Sequence, residues 1–278
     1  MTCHKMINFN EYKKTHVLVP LEKTNQSQTF LTEVNGEKRV CKKYGNMSDR
    51  CKEELAYTYL KEKSLLNTPT LIDIGIDFIE MQFILEDEKA ELSEIISGIK
   101  KLYTNTLNYP DLNKYFPFLD TSKSKIVQRL EYLPTEMDKR KGRMDDLFKK
   151  CNNFLKNQYI SPSQSCLVHG DLKSPHIIKS TDGIYYIDLS LASIANPWYD
   201  LAFLYMEKRD KDGLLLEMIK ISQDIFGKEM NVSNKEAISY MKSSIFYRSL
   251  YDVIFALRHR PDKTLARTIK DLDEIASD

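Results

Sequence analysis

The stretch Leu167-Val168-His169-Gly170-Asp171-Leu172-Lys173-Ser174-Pro175-His176-Ile177-Ile178, followed closely by Tyr185-Tyr186-Ile187-Asp188-Leu189-Ser190, decides how this chain is read. Leu167 and Val168 form the end of a short apolar strand that runs into a tight polar turn at Asp171. A second strand, rich in aromatic and β-branched residues, ends at Asp188, with Asp182-Gly183 as the turn between strands. This order brings two carboxylates from neighbouring strand ends to one crevice.

Such a pair divides the work of moving a γ-phosphoryl group. One carboxylate, Asp171, accepts a hydrogen bond from the attacking hydroxyl and takes its proton; the other, Asp188, holds the Mg²⁺ that bridges the nucleotide's phosphates. Lys173, two residues beyond Asp171, brings a positive charge to the transferring group. Taken singly, His169 and Asp171 suit a turn cap and Asp188 suits a strand end. The spacing is what points to chemistry: Asp, Lys at plus two, a metal-facing residue at plus five, then a second Asp beyond a hairpin.

With Asn196-Pro197-Trp198-Tyr199-Asp200-Leu201-Ala202 downstream, these residues resemble the aminoglycoside phosphotransferase and choline kinase family, the small-molecule relatives of protein kinases. The resemblance is strong from Cys166 to Tyr205 and weak elsewhere. It implies a two-lobed α+β fold of protein-kinase type, with a small β-rich N-terminal lobe over residues 1–84 and a larger, mainly helical lobe over 85–278. The family's catalytic motif reads His-Gly-Asp, four residues, Asn, and the last place is held here by His176. Its metal-binding aspartate corresponds to Asp188. Mg²⁺ is a hard cation that prefers oxygen ligands, whereas imidazole suits transition metals. Three roles are therefore open for His176: a ligand for Mn²⁺, a hydrogen-bond partner of Asp171, or a bystander to a single Mg²⁺ on Asp188.

The early third of the chain reads as strands around one helix. His16–Pro20, Thr29–Val34 and Lys38–Tyr44 are expected strands, and Asn35-Gly36 is a strong type I′ hairpin signal. A helix follows from Ser48, read as N-cap, to Leu60, and then a strand pair, 70–76 and 78–85. The resemblance implies a lysine on the third strand paired with a glutamate on the helix. Strand alternation puts Lys42 on the face of Val40, so Lys42 rather than Lys43 is expected to meet the α and β phosphates. Glu53 is its expected partner, because Ala56, Tyr57 and Leu60 follow at three, four and seven residues and share its face. Two unit charges about 4 Å apart at an effective dielectric near 20 attract by roughly 4 kcal/mol before desolvation, enough to orient a lysine.

The loop 23–28 falls where a phosphate-covering hairpin belongs but contains no glycine. Ser27 and its backbone either cover phosphate there or form a plain polar turn. Gln82 and Phe83 lie at the link between lobes, where backbone groups either meet an adenine edge or simply continue a core strand.

Beyond the link, helices are expected over 92–103, 124–132, 144–158, 198–208, 213–225, 235–256 and 263–276, with an irregular, proline-containing connection over 108–122. In the late helices, Phe246, Tyr247, Tyr251 and Phe255 occur at helical spacing with Arg248 and Asp252. They read either as core or as an aromatic cage for a cationic, choline-like head group. Glu207 and Asp210 are equally ambiguous. Trp198 either lines the site or anchors a helix start, Asp200 is expected to cap or brace the catalytic region rather than touch substrate, and His4, His16 and His259 show no ligand spacing.

Composition is that of a compact enzyme. The 278 residues are 42% hydrophobic and 29% charged, and the formal net charge of +1 offers no general attraction for nucleic acid or membrane. The N-terminal residues lack a long apolar run and no segment approaches a membrane span, so a cytoplasmic protein is expected. Cys3, Cys41, Cys51, Cys151 and Cys166 are scattered without paired spacing and read as reduced thiols. The expectation is a phosphotransferase using ATP or GTP with Mg²⁺ or Mn²⁺, acting on a hydroxyl of an aminoglycoside, a choline-like amino alcohol or a sugar. A protein kinase is disfavoured, since Asp-Phe-Gly and Ala-Pro-Glu are absent and little chain separates Asp188 from Asp200. A nucleotide-binding pseudokinase with a degraded metal site is the alternative from another class.

Overall fold

The computed structural model describes residues 6–24, 27–138, 145–159, 164–208, 213–259 and 263–277. In chain order the described elements are α1 (Phe9–Tyr12), β1 (Val19–Lys23), β2 (Ser27–Val34), β3 (Glu37–Tyr44), α2 (Met47–Glu62), β4 (Leu71–Ile74), β5 (Phe78–Gln82), α3 (Leu92–Thr106), α4 (Lys123–Asp138), α5 (Asp145–Asn157), β6 (Cys166–Val168), β7 (Ile177–Ser180), β8 (Gly183–Tyr186), β9 (Ser193–Ala195), α6 (Trp198–Lys208), α7 (Leu214–Ser222), α8 (Asn234–His259) and α9 (Lys263–Ser277).

Two compact units form: residues 1–101 with 169–192, and residues 102–168 with 193–278. This division differs from one at residue 84, for a physical reason. Lys179 binds Glu88 and Glu94 at 2.8 Å each, and Tyr186 donates its hydroxyl to the Ile95 carbonyl at 2.8 Å. The segment after β5 and the β7–β8 hairpin are thereby fastened to one another, and the Tyr186 amide donates to the Asn67 carbonyl at 2.9 Å.

The first unit is built on an antiparallel sheet of order β1-β2-β3-β5-β4. Asn35 and Gly36 have φ of 53° and 81°, the pair of positive values that a type I′ turn requires, so Val34 faces Glu37 in a two-residue hairpin. Alternation along β3 then sorts its side chains. Cys41 packs with Phe9, Tyr12 and Phe78 on the face that α1 covers. Lys42 points the other way, toward α2, where Glu53, Ala56, Tyr57 and Leu60 are all buried on one helical face.

Two local features depart from expectation. α1 is an added element, closed by a capping box in which the Asn8 side chain accepts the Glu11 amide at 3.0 Å and Glu11 accepts the Asn8 amide at 3.2 Å. α2 begins two residues early: Asn46, not Ser48, is the N-cap, and its Oδ1 accepts the Asp49 amide at 2.8 Å. Asn46 and Ser48 are both good caps, and the register is settled by β3 ending at Tyr44.

In the second unit, α8 packs against α4, α6, α7 and α9. Trp198 lies fully buried at the start of α6, where its amide donates to Asn196 Oδ1 at 2.8 Å. Asp200 is also buried and accepts the Tyr103 hydroxyl at 2.9 Å. β6 pairs with β9, whereas β8 pairs with β7. The expectation that Asp171 and Asp188 extend from neighbouring strands therefore fails: their strands belong to different sheets, and Asp188 lies beyond β8 rather than in it.

Replacing Asn46 by Ala is expected to lower unfolding free energy by about 1 kcal/mol, while Ser48→Ala, at an exposed position, changes it by less than about 0.5 kcal/mol. Urea denaturation of both variants checks this, and the reverse order would move the cap to Ser48.

Candidate active site

The site is assembled within the first compact unit. After β6 the chain turns at Gly170, whose φ is 85°. A Cβ built there would lie 2.0 Å from the Leu191 carbonyl oxygen, so both the backbone conformation and the close approach require glycine. The preceding His169 donates from Nε2 to the Ile187 carbonyl at 2.9 Å. A carbonyl only accepts, so Nδ1 of His169 keeps its lone pair and accepts the Asp171 amide at 3.3 Å. One imidazole thus ties Asp171 to the residue before Asp188.

Asp188 occupies the left-handed region, at φ 58° and ψ 63°. A non-glycine residue held there is uncommon, and aspartate is among the residues that tolerate it best. Its amide donates to the Tyr57 hydroxyl at 3.1 Å, and the Ile187 amide donates to the His176 carbonyl at 3.0 Å. The main chain around residue 188 is thereby pinned to α2 on one side and to residue 176 on the other.

Lys42 joins the elements. Its Nζ donates to Glu53 Oε1 and Oε2 at 3.0 and 2.8 Å and to Asp188 Oδ1 at 2.8 Å. Lys42 and Glu53 are buried, with Glu53 fully so, while the Asp188 side chain is 34% exposed. Burial alone would lower the Lys42 ammonium, but Glu53 and then Asp188 hold it above its ordinary value. Burial raises the Glu53 carboxyl, and Lys42 counteracts only part of that rise. Burial would also raise Asp188, yet Lys42, His176 and a hydrogen bond from Ser190 hold it well below the ordinary carboxylate range.

The two Asp188 oxygens have different partners. Oδ1 receives Lys42 and the Ser190 hydroxyl, the latter at 2.9 Å, while Oδ2 faces His176 Nε2 at 3.4 Å. The other nitrogen of His176, Nδ1, donates to the Asp171 carbonyl at 2.9 Å and lies 3.5 Å from Asp171 Oδ2. Asp171, His176 and Asp188 each offer a ligand atom, all within 4.8 Å of one another. The donor set of two carboxylates and one imidazole fits a divalent cation. Lys173 Nζ sits 2.8 Å from Asp171 Oδ2, and among the described residues no donor reaches Asp171 Oδ1.

The remaining expected site residues are placed as follows. The Ser27 amide donates to Thr24 Oγ1 at 3.0 Å and its carbonyl accepts the Thr24 amide at 2.9 Å, so Ser27 closes its own hairpin. Asn25 and Gln26 lie outside the described residues. The Gln82 amide donates to the Thr70 carbonyl at 2.9 Å, which commits that N–H to the sheet. Phe83 follows directly, with Lys38 Nζ 5.9 Å from its ring centre. Tyr57 and Ser190, which both hold Asp188, were not legible in the sequence; a hydroxyl two residues from a carboxylate is too common to signal a role.

In the second unit the aromatic stripe of α8 holds the chain's own cations. The Arg248 guanidinium lies 3.9 Å from the Phe203 ring centre and pairs with Asp252 at 2.8 Å. Arg129 lies 4.9 Å from Tyr247 and 5.4 Å from Tyr251. Of the two readings of this stripe, these contacts favour the structural one, since Tyr247 and Tyr251 already hold arginines of the chain. Glu207 is exposed, and His16 stacks on Tyr12 at 3.9 Å in a structural role. Cys3, His4, Asp210 and the side chain of His259 lie outside the described residues.

Two outcomes follow from these charges. Lys42→Met leaves Glu53 buried without a counter-charge and should cost about 3 kcal/mol or more in urea unfolding. Adding Glu53→Gln should recover a measurable part of the loss, and simple additivity of the two would show that they are uncoupled. Asp188, with its carboxyl lowered from 3.8, contributes stability that is complete above about pH 5 and is lost as pH falls through the lowered value. The stability difference between the wild type and Asp188→Asn should hence shrink on acidification from about pH 5 toward about pH 3.

Residues 115–228 match the model of the phosphotransferase enzyme family. No curated protein sequence matches the chain. Among solved structures, a GDP and kanamycin complex of APH(2")-IIia is similar at 16% identity, with 93% of this chain and 92% of that chain covered at a TM-score of 0.71. Macrolide 2'-phosphotransferase type I is similar at 13% identity, 97% and 99% coverage and a TM-score of 0.68. Choline kinase from Cryptosporidium parvum Iowa II gives 12% identity, 95% and 88% coverage and a TM-score of 0.66. The chain thus has the protein-kinase-like α+β fold expected from its sequence, and over residues 115–228 it carries the sequence pattern of the phosphotransferase enzyme family.

Proposed function

We propose that this protein transfers the γ-phosphoryl group of ATP or GTP to a hydroxyl of a small molecule. One observation carries the reading: Lys42, Glu53, Asp188, His176 and Asp171 form a single connected polar array, held by contacts of 2.8 to 3.5 Å. Those are the parts that phosphoryl transfer needs, where catalysis is mostly positioning and charge stabilisation. The family match and the likeness to enzymes crystallised with GDP and kanamycin support the same reading.

Each residue has a task in this proposal. Lys42, oriented by Glu53, meets the α and β phosphates. Asp188, with His176, holds a divalent cation, which when bound neutralises phosphate charge and fixes the phosphates in line. Asp171 takes the proton of the acceptor hydroxyl on Oδ1, the oxygen that no described residue occupies, while Lys173 on Oδ2 keeps the carboxylate oriented and is positioned to contact the γ-phosphate. Ser27 and the backbone of its hairpin cover phosphate, and Phe83 meets the base with Gln82 behind it in the sheet. The acceptor classes suggested by the similar structures are aminoglycosides such as kanamycin, macrolides, and choline-like amino alcohols. Sugars are a further class of hydroxyl acceptor.

Mass spectrometry of reactions with a panel of these acceptors, with ATP and GTP compared, should reveal a product heavier by one phosphoryl group. Asp171→Asn should lower turnover by about 10²- to 10⁴-fold, yet keep the rise in melting temperature that nucleotide gives the wild type. If the wild type shows that rise but the same near-zero turnover as Asp171→Asn, the protein is a nucleotide-binding module rather than an enzyme.

A further inference from the structure

We infer that a pocket on the first compact unit, apart from the candidate active site, binds a small phosphate monoester between the ammonium groups of Lys61 and Lys101 and the Thr68 hydroxyl. The pocket has a volume of about 420 Å³, within the range of roughly 300 to 1,000 Å³ typical of small-molecule sites. It lies where the C-terminal turn of α2, the chain leading into β4, the end of β5, α3 and β8 come together. Lys42, Glu53, Asp171, His176 and Asp188 take no part in its lining. It is therefore a second site, and its ligand does not depend on the proposed function.

The charge of the lining has one sign. Among the described residues it holds two lysines and no carboxylate. Lys61 Nζ donates to Thr70 Oγ1 at 2.7 Å, a neutral partner, and among the described residues neither lysine is ion-paired. One acidic group, Asp182, is bonded to the wall, where it accepts the Tyr185 hydroxyl at 2.6 Å. The negative end of α2 is already satisfied: the Leu65 amide donates to the Leu60 carbonyl at 2.9 Å and the Ser64 amide to the Lys61 carbonyl at 3.0 Å, a Schellman cap with Ser64 at φ 50°. Two ammonium groups without a counter-charge suit a phosphate monoester, which carries about −1.5 to −2 charges at neutral pH, better than a carboxylate with its single charge.

A buried hydroxyl points independently to an occupant. Thr68 lines the pocket at 7% exposure, and its Oγ1 is cut off from water with no hydrogen-bond partner among the described residues. Such a group is costly until it finds a partner. Rotation about χ1 exchanges the hydroxyl and methyl positions, and a phosphate oxygen supplies the acceptor that the hydroxyl lacks. Gln82 adds a side-chain amide: its Oε1 is turned to the Thr70 amide at 3.4 Å, which leaves Nε2 as a further donor. The rest of the wall is apolar. Leu65, Leu66 and the Tyr185 ring are all buried there, so the organic part of the ligand has a surface to cover beside its phosphate.

Two-dimensional amide NMR of the full-length protein, titrated with phenyl phosphate, both locates and measures the binding. Saturable shifts are expected over residues 64–70 and at Gly98. Inorganic phosphate should bind about tenfold more weakly, because it has no ring to bury. Benzoate, with one charge, should also bind about tenfold more weakly. Replacing both exposed lysines, Lys61→Met with Lys101→Met, should weaken phenyl phosphate by about tenfold or more without moving the melting temperature. Thr68→Val should weaken it by about threefold or more and leave the melting temperature of the free protein equal or higher, since the hydroxyl removed had no partner. Lack of saturable shifts at those residues, shifts confined to the surroundings of Asp171 and Asp188, benzoate as tight as phenyl phosphate, or unchanged affinity in the lysine and Thr68 variants overturns the assignment. Each of these results leaves the phosphotransferase reading standing, since that reading is tested separately by the turnover of Asp171→Asn.

Discussion

A buried ammonium between two carboxylates organises the first compact unit. Lys42 belongs to β3, Glu53 to α2 and Asp188 to the turn after β8, so one charge joins three elements that are distant in sequence. Removing these groups from water is costly, and the cost is offset only while all three are in place. The arrangement also sets the local charge. One ammonium faces two carboxylates, which leaves a net negative site with Asp188 Oδ2 at its exposed edge, the place where a cation adds the missing charge. The interaction that holds the sheet, the helix and the hairpin together is thus also the one that sets the charge of the proposed cation site.

Much of this was legible because local rules determine it. Strand period two separates Lys42 from Lys43, and helical spacing separates Glu53 from Glu54; Glu53 is fully buried and Glu54 instead pairs with Arg50 at 2.6 Å. The Asn35-Gly36 turn fixes the β2–β3 register on which the Lys42 position depends. What was not legible depends on tertiary neighbours. The left-handed conformation of Asp188 is held by its own bond to Tyr57, 131 positions away, and by the bond of the neighbouring Ile187 amide to the His176 carbonyl, which no local pattern reports. Asn46 and Ser48 compete as caps on equal intrinsic terms, and the length of β3 decides between them. The α8 aromatics looked the same whether they waited for a ligand cation or held Arg129 and Arg248, because the sequence does not show which guanidinium reaches them. The capping pair Asn8 and Glu11 was a readable signal, but a four-residue helix is too short to add a periodicity to it.

The two histidines of the motif show how one residue type serves two purposes according to which nitrogen is bonded. His169 donates from Nε2 to Ile187, so its Nδ1 accepts locally and the ring acts as a brace. His176 donates from Nδ1 to Asp171, so its Nε2 points outward to Asp188. The rings lie nearly parallel with centres 6.0 Å apart, and both connect the Asp171 turn to the segment that ends in Asp188. The first ring is engaged by the backbone at both nitrogens, and the second turns Nε2 to the Asp188 carboxylate.

The frame around position 176 is held by main-chain bonds. Its backbone amide and carbonyl are bonded to Lys173 and Ile187, and neither bond involves the side chain. The distance between Asp171 and Asp188 is therefore held by the main chain, and the residue at 176 chooses the donor atom offered between them without resetting the frame. An asparagine there would offer an amide oxygen to a hard ion, and histidine offers a nitrogen from a ring already oriented by the Asp171 carbonyl. An exchange between the two side chains alters the donor atom, while the main-chain bonds that hold the carboxylate pair stay as they are.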